Sequence, residues 1–425
     1  MNHLWHPFAD MAAVEKAGEF VVDSGDGVWI TDVDGNRYLD ATAGLWFANV
    51  GHGRAELADA AARQMRKLAA YSTFGDVATR PTLELAERLA DISPMADTKV
   101  FFTSGGSDSV ETAVKLARRY WHELGKPDRT HVIGRGFGYH GMHAAGTSLS
   151  GLPSNKADHG TLFPDTATVT WDDPADLVAA IERLTPERVA AFICEPVIGA
   201  GGVMPPPPGY LAEVRRICRQ YDVLFIADEV VTGYGRLGHW FASGRFGLEP
   251  DMIVTAKGLT SGYAPMGAVL VGPRVSEPFF QPGGGVWWRH GYTYSGHAMC
   301  AAVALANLDL IEREDLIRSA ASLEGVIVEH VGRLAAHPAV TEVRCGVGAL
   351  AGVQLKNAAS AQDAVRAARA HGVSTRAMGA GALQVSPAFV ATGADVARIA
   401  AGLSAALDTL VEPHIPDPRS DGASG

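Results

Sequence analysis

Short apolar runs alternate with amphipathic segments through the middle of the chain. The runs are rich in β-branched residues and only three to six residues long, which is typical of strands. The segments between them repeat apolar residues every three or four positions, which predicts helices. Strands that alternate with helices predict an α/β fold with a mostly parallel sheet covered on both faces. The strand candidates are Val100–Thr103, His131–Gly134, Thr168–Thr170, Val189–Cys194, Val223–Ala227, Met252–Ala256 and Ala268–Val271, and the helix candidates between them are Asp108–Leu124, Ala175–Leu184 and Tyr210–Tyr221.

Both flanks of this region have a different pattern. Residues 19–40 contain short strands and hairpin turns, and aromatic loops follow at 43–47 and 71–75. After a long helix over 295–312, short strands and helices between 340 and 411 predict a smaller α+β domain. The predicted units are an N-terminal segment that joins the small domain (1–50), a large domain (51–312), a C-terminal small domain (313–415) and a disordered tail (416–425).

Composition and charge narrow the class of protein. The 425 residues carry a formal net charge of −11, which argues against nucleic acid or an anionic membrane as the main partner. No apolar run is long enough to span a bilayer, and residues 1–10 lack the order of a signal peptide. The four cysteines form no C-x-x-C pair, which indicates reduced thiols rather than disulfides or a zinc site. We therefore expect a cytoplasmic protein.

One lysine follows a strand candidate directly. The apolar run Met252–Ala256 ends at Lys257, and the glycines and proline that come next cannot continue a strand or a helix. Ligands of open α/β sheets bind beyond the carboxyl ends of the strands, where Lys257 would lie. A partly desolvated amine at that position can condense with an aldehyde as a Schiff base. Considered alone, the segment favours an ordinary surface lysine.

Three carboxylates also follow apolar strands. Asp228 and Glu229 come directly after Val223–Ala227, and Glu195 follows Val189–Cys194 one unit earlier. Buried acids need a partner, and a protonated ring nitrogen is one candidate for Asp228. A helix-capping or salt-bridged acid pair is the alternative.

A glycine turn joins a strand to a helix at Gly105-Gly106-Ser107-Asp108. Free N–H groups at a helix start, together with the helix dipole, form a phosphate site. The turn lacks the Gly-Lys-Ser/Thr ending of a Walker sequence, so an ordinary strand–helix turn remains an alternative.

A second glycine-rich segment, Gly136–Gly141, matches G-x-G-x-x-G after a strand. A dinucleotide site needs a helix that begins within the glycines, whereas 145–153 is predicted to be a loop, so we reject that interpretation. Tyr139 can instead offer its ring face to a flat heterocycle. His140 and His143 lack a third candidate ligand, and we predict no metal site.

Two further segments contribute polar candidates. The run Trp288–His297 precedes a helix and can supply a hydroxyl and backbone donors to a phosphate. Arg376 is a lone cation in the small domain that suits a carboxylate partner, and a solvated arginine is the alternative.

Taken together, these segments make the chain resemble the class III aminotransferases, fold type I enzymes that use pyridoxal 5′-phosphate (PLP). Within that family the sequence is most similar to the ω-amino acid:pyruvate (β-alanine:pyruvate-like) and amine transaminases. The resemblance covers about Trp29 to Leu410. Its most specific part is Asp228-Glu-Val230 followed by Lys257-Gly-Leu-Thr-Ser-Gly-Tyr-Ala-Pro-Met-Gly267.

The resemblance implies a role for each candidate residue. Lys257 would form the Schiff base with PLP and then move the substrate proton, and Asp228 would hold the pyridine nitrogen. The other implied contacts are Val230 and Tyr139 on the two ring faces, Gly106 and Ser107 at the phosphate, Thr293 arriving there from a second subunit, Glu195 as the acid near the active-site arginine, Leu45, Trp46 and Phe74 along the substrate pocket, and Arg376 as the mobile arginine that accepts a substrate carboxylate.

Two positions depart from the family pattern. Ser104-Gly105 stands where members commonly have Asn-Ser, and one extra residue separates Arg376 from Ser386-Pro387.

The implied function is a PLP-dependent transaminase that moves an amino group from an ω-amino acid or amine to an α-keto acid, with pyruvate as acceptor. The implied assembly is a homodimer with its active site at the subunit interface, or a tetramer. An aminomutase or racemase of the same fold and a non-catalytic relative are the alternatives.

Overall fold

The computed structural model describes residues 3–379 and 381–411. Its strands are β1 Val22–Asp26, β2 Trp29–Asp32, β3 Arg37–Asp40, β4 Lys99–Thr103, β5 His131–Arg135, β6 Thr166–Val169, β7 Val189–Cys194, β8 Leu224–Asp228, β9 Met252–Thr255, β10 Gly267–Val271, β11 Val340–Arg344, β12 Ala351–Leu355, β13 Val373–Ser374, β14 Ala377–Met378 and β15 Ala382–Val385. Its helices are α1 Met11–Ala17, α2 Ala43–Trp46, α3 Ala55–Leu68, α4 Arg80–Ile92, α5 Gly106–Glu123, α6 Ala144–Leu149, α7 Pro174–Leu184, α8 Tyr210–Gln220, α9 Ala242–Arg245, α10 Pro273–Phe280, α11 Ala298–Arg313, α12 Leu316–His330, α13 Ala361–Ala370 and α14 Gly393–Asp408.

Seven strands form the central sheet, in the order β4-β10-β9-β8-β7-β5-β6. β10 runs antiparallel to both of its neighbours, and the other pairs are parallel. The observed strands begin within two residues of the predicted positions. The predicted α/β fold with a mostly parallel sheet is confirmed.

The sheet separates two hydrophobic cores. In β8, Phe225 and Ala227 face one core while Leu224 and Ile226 face the other, as the two-residue period of a strand requires. All residues of β7, β8, β9 and β10 are buried, because helices cover both faces. Polar side chains are therefore placed where these strands end.

Two smaller sheets flank the central one. The first has the order β1-β2-β3-β13, and its parallel pair joins Leu39 of β3 to Val373 of β13. The second, β11-β12-β15-β14, is antiparallel. Pairing of β3 with β13 fits the expectation that residues 1–50 join the small domain. The domain boundaries remain predictions, and the predicted tail, 416–425, lies outside the described residues.

The predicted loop over 145–153 is wrong in its first half. Helix α6 occupies Ala144–Leu149, and Ala145 and Leu149 are fully buried against the second core. Ser148 Oγ donates a hydrogen bond to the carbonyl of Ala144 at 2.7 Å, so the serine is accommodated within the helical turn. Tertiary packing thus overrides the weak helix propensity of this Gly-, Ser- and Thr-rich segment. The dinucleotide interpretation still fails, because α6 begins only after Gly141.

Within the described residues, no helix is long and apolar enough to cross a membrane. The four cysteines are free thiols; Cys194, Cys218 and Cys300 are buried, and Cys345 is half-buried. Burial raises the pKa of Cys194 to about 11, so this thiol stays protonated near neutral pH. The cytoplasmic location remains a prediction.

Candidate active site

A cavity of about 660 Å³ opens at the carboxyl ends of β7, β8 and β9. Most of the predicted site residues line it, although they come from distant parts of the chain. They are Leu45, Trp46, Gly106, Ser107, Tyr139, Glu195, Asp228, Val230, Lys257 and Arg376.

Lys257 lies immediately beyond β9, in a left-handed backbone conformation with φ of 45°. Burial lowers the pKa of its amine to about 8, while the anions of Asp228 and Glu195 raise it and the cation of Arg376 lowers it. Its Nζ lies 5.8 Å from the centroid of the Trp46 ring. About a tenth of this amine is therefore neutral and nucleophilic at pH 7, far more than for an ordinary lysine.

Asp228 is the last residue of β8, and its carboxylate is almost fully buried. One oxygen, Oδ2, lies 2.7 Å from Nδ1 of His140, and the other, Oδ1, accepts the backbone N–H of Val230 at 3.2 Å. Because a carboxylate only accepts, His140 donates through Nδ1. Nε2 of His140 is buried without a hydrogen-bond partner among the described residues. The histidine thus holds the carboxylate at the cavity.

Glu195 and Glu229, the other two predicted acids, accept hydrogen bonds from different parts of the structure. Glu195 accepts the backbone N–H groups of Tyr139 at 2.9 Å and Gly199 at 2.8 Å, which fixes the loop that carries Tyr139. Burial raises the pKa of Glu195, although nearby His140 and these two N–H groups oppose the shift. Glu229 instead accepts the N–H and hydroxyl of Ser243 at the start of α9. The helix-capping alternative is therefore correct for Glu229, but not for Asp228.

The amino end of α5 faces the same cavity through Gly106 and Ser107. Asp108 organises this turn, because it accepts the N–H of Ser104 at 3.0 Å and lies 2.7 Å from Nε2 of His143. The first N–H groups of an 18-residue helix lack helical partners and carry the positive end of its dipole. No group of three or more histidine, cysteine or acidic side chains that could hold a metal is found in the described part of the chain.

Arg376 and Trp46 line the cavity together. The guanidinium carbon lies 4.2 Å from the Trp46 ring centroid, and Nε donates to Oε1 of Gln384 at 2.6 Å. Burial lowers the pKa of Arg376 to about 10, so the side chain remains charged at neutral pH. The extra residue before Ser386 does not prevent the arginine from reaching the site.

Phe74 and Thr293 are not brought to this cavity within one chain. Both line a separate hollow of about 270 Å³, and Phe74 is 59% exposed. Their two loops are joined by a hydrogen bond from Thr73 Oγ1 to the carbonyl of Ser295 at 2.9 Å. The predicted contribution of Thr293 to a second subunit remains a prediction.

Phe8 also lines the cavity, although no motif or periodic pattern selects it as a site residue. It precedes α1, whose first turn is capped by Asp10 through hydrogen bonds to the N–H groups of Ala12 and Ala13. The only sequence signal is an aromatic residue just before a helix cap, which is too common to identify a binding residue.

The residues of the active-site cavity at the carboxyl ends of β8 and β9 and at the start of α5 fit PLP. A Cβ on Gly106 would lie 3.0 Å from Cγ1 of Val230, so glycine keeps the space between the helix start and Val230 open. The amino end of α5 suits the phosphate, the buried Asp228 carboxylate suits a protonated ring nitrogen, and the neutral fraction of Lys257 suits the aldehyde.

Comparison with known proteins agrees with this geometry. The family Aminotransferase class-III matches residues 11–407. Putrescine–pyruvate aminotransferase of Pseudomonas aeruginosa is 42% identical over 374 residues, which cover 83% of this chain and 81% of that protein. Beta-alanine–pyruvate aminotransferase of the same organism is 38% identical over 339 residues, 75% of each chain.

A solved structure extends the likeness to the whole fold. The ω-transaminase of Pseudomonas jessenii in complex with PMP superposes with a TM-score of 0.90 at 33% identity, covering 96% of each chain. The predictions of fold type I and of a PLP-dependent aminotransferase are thereby confirmed. A buried amine and a histidine-held carboxylate at the end of a parallel sheet thus coincide with a family match that spans nearly all of the sequence, and the chain belongs to the class III aminotransferases.

Proposed function

We propose that this enzyme moves an amino group from an ω-amino acid or a simple amine to an α-keto acid, with pyruvate as the acceptor. The observation that carries the proposal is one cavity with an aromatic wall, Trp46 and Tyr139, and a charged guanidinium, Arg376. The aromatic wall suits an amine without a carboxylate, and the guanidinium suits the carboxylate of a keto acid or amino acid. The two Pseudomonas aeruginosa relatives are named for putrescine or β-alanine together with pyruvate.

PLP, when bound, supplies an aldehyde that captures amino groups and a ring that withdraws electrons from the reacting carbon. In the proposed arrangement Gly106 and Ser107 hold its phosphate, Tyr139 and Val230 flank its ring, and Asp228 keeps its nitrogen protonated. His140 supports that last role, because its hydrogen bond at 2.7 Å holds the carboxylate in place at the cavity.

Lys257 is the proposed general acid–base. Burial lowers the pKa of its amine to about 8, so near neutral pH the neutral form can accept a proton and the charged form can return it. The Trp46 ring covers one side of the amine, with its centroid 5.8 Å from Nζ, and helps to exclude water from the proton transfer.

The proposed assembly is a homodimer, alone or paired into a tetramer, in which Phe74 and Thr293 of one subunit complete the cavity of the other. Their hollow is bordered by Tyr71 and Tyr294, which are 61% and 65% exposed. Aromatic side chains clustered on a surface are typical of a protein–protein interface.

A complementation experiment tests this assembly. Lys257→Ala removes the amine, and Thr293→Asp places a negative charge where the phosphate would be, so each homodimer is expected to be inactive. After the two chains are mixed, unfolded and refolded together, half of the dimers are hybrids with one intact site, and about a quarter of wild-type activity returns. Activity of the mixture no higher than that of the separate variants would contradict a shared site.

The central test of the function is Lys257→Ala assayed with a panel of donors and acceptors. We expect the visible absorbance of the bound coenzyme to change and turnover to fall about 10⁴-fold or more, since both the covalent and the proton-transfer roles are lost. The wild-type enzyme is expected to convert β-alanine, putrescine and 1-phenylethylamine with pyruvate. Unchanged spectrum and turnover in the variant would refute the proposal.

The same panel separates the aminomutase or racemase alternative. Such an enzyme would isomerise a single substrate without a keto acid, whereas a transaminase stops after one half-reaction. Sustained turnover after pyruvate and 2-oxoglutarate are both omitted would favour the isomerase.

A further inference from the structure

Gln384 is a fully buried polar residue in the middle of β15, a strand whose other side chains are apolar. Its Oε1 accepts the hydrogen bond from Nε of Arg376 at 2.6 Å. Its Nε2 donates to the carbonyl of Thr42 at 3.3 Å and also to Oγ of Ser386. The side-chain amide of Gln384 thus links Arg376 to the carbonyl of Thr42 and the hydroxyl of Ser386.

The surroundings determine which way this amide faces. The carbonyl of Thr42 can only accept, so the NH₂ end of Gln384 must point towards it, and the oxygen is left for Arg376. The backbone reinforces the pairing, because the N–H of Gln384 donates to the carbonyl of Arg376 at 3.0 Å. The oxygen is therefore preorganised as an acceptor for the arginine.

The bond to Gln384 uses only the Nε side of the guanidinium. The nearby Tyr139 raises the pKa of Arg376 slightly against the effect of burial, and no acidic side chain of the described residues forms an ion pair with the arginine. An acid at position 384 would neutralise the cation and compete with a substrate carboxylate, whereas an amide oxygen restrains it without removing its charge. The two terminal nitrogens stay available for a bidentate carboxylate.

We propose that Gln384 is a positioning residue that holds Arg376 over Trp46 and thereby makes the site select substrates with a carboxylate. The inference rests on the proposed function, in which Arg376 receives the carboxylate of pyruvate. A substrate without a carboxylate leaves the guanidinium unpaired or displaces it, and displacement breaks both the bond to Gln384 and the contact with the Trp46 ring. Gln384 therefore opposes the movement that such substrates require.

The test compares pyruvate with propanal, an acceptor that has no carboxylate, using one amine donor throughout. Gln384→Met keeps the length and volume of the side chain but removes the strong acceptor. We expect the KM for pyruvate to rise about tenfold, because one charge-assisted hydrogen bond to Arg376 is lost. The KM for propanal should fall or change less than about twofold. Thr375→Val removes a neighbouring hydrogen bond to the same strand and is the matched control, with no expected selectivity change.

A double-mutant cycle separates positioning from general stability. If Gln384 acts through Arg376, adding Gln384→Met to Arg376→Ala leaves the KM for pyruvate at the value of Arg376→Ala alone. Equal changes for pyruvate and propanal, or additive effects in the double variant, would overturn the proposal, even if Tm falls because Thr42 loses its donor. Wild-type enzyme that transaminates no amine with pyruvate would instead refute the proposed function, so the two failures are distinguishable.

Discussion

Two regions of the cavity meet at Lys257, and they are built in opposite ways. The coenzyme edge (Gly106, Ser107, Asp228 and Lys257) consists of residues at strand ends or at the start of the helix that follows a strand. The substrate wall (Phe8, Leu45, Trp46 and Arg376) is assembled from the segment before α1, the kinked helix α2 and the connection between β13 and β14. A parallel sheet fixes the first region for any substrate, whereas the second can vary without disturbing the sheet.

The difference predicts different consequences of mutation. Changes at the coenzyme edge should affect the chemistry of all substrates equally, because every reaction uses the same coenzyme. Changes in the substrate wall should separate one substrate from another and alter KM more than kcat.

The largest expected effect at the coenzyme edge, apart from removal of Lys257, is that of Asp228→Asn. The variant keeps the shape of the side chain but loses the charge that, in the proposed arrangement, keeps the ring nitrogen protonated. We expect kcat to fall about a hundredfold to a thousandfold, as is typical when one preorganised electrostatic contact is lost, and by the same factor for every donor and acceptor. Steady-state kinetics with β-alanine, 1-phenylethylamine and pyruvate measure this.

Glu229→Gln is the matched control for that substitution. Glu229 is adjacent and equally buried, but it accepts hydrogen bonds from Ser243 rather than facing the cavity. We expect a lower Tm with kcat nearly unchanged. A loss of kcat in Asp228→Asn that differs strongly between substrates would break the distinction between the two regions.

The sequence predicted the coenzyme edge better than the substrate wall for a physical reason. Lys257 and Asp228 adjoin recognisable strands, so the topology of a parallel sheet places both at one edge. The pairing of His140 with Asp228 joins positions 88 residues apart, and local pattern cannot reveal it. The sequence could have suggested this pairing in part. A buried acid requires a hydrogen-bond donor, and His140 was a polar residue with no assigned partner.

The residues of the substrate wall are brought together only by the tertiary fold, and the local hydrophobic pattern of the sequence does not predict their positions. Phe8 belongs to a segment without apolar repetition, and Phe74 does not line the active-site cavity of its own chain. Gln384 could have been selected, since a polar side chain inside the apolar run Ala382–Val385 must find partners when buried. Which partners it finds is decided by the sheet that brings Thr42 and Arg376 beside it.

A pH titration of PLP uptake measures how charged residues of both regions change the pKa of the Lys257 amine. Burial lowers the pKa of Lys257 to about 8, from the usual value of about 10.4, so the neutral, nucleophilic form becomes abundant above about pH 8. Mixing apoenzyme with PLP should therefore give an uptake rate that rises about tenfold per pH unit below this point and then levels off. Parallel reactions of PLP with butylamine correct for ionisation of the coenzyme.

Variants should move that transition in opposite directions. Asp228→Asn removes an anion that raises the pKa of Lys257, so the transition moves to lower pH. Arg376→Ala removes a cation that lowers the pKa, so the transition moves to higher pH. Shifts of the same sign, or a wild-type transition near pH 10, would show that the amine is not buried between the two charges.

The smallest expected effect is that of Phe8→Ala in the substrate wall. Phe8 lines the cavity but is 74% exposed, so only part of its ring can contact a substrate. We expect the KM for 1-phenylethylamine to rise about fivefold, less than full burial of a phenylalanine would give, with the KM for β-alanine unchanged. Trp5→Ala is the control, because Trp5 is 84% exposed and does not line the cavity. An equal effect of Trp5→Ala, or an equal loss for β-alanine, would remove Phe8 from the substrate wall and leave the selection of amines to Trp46 and its neighbours.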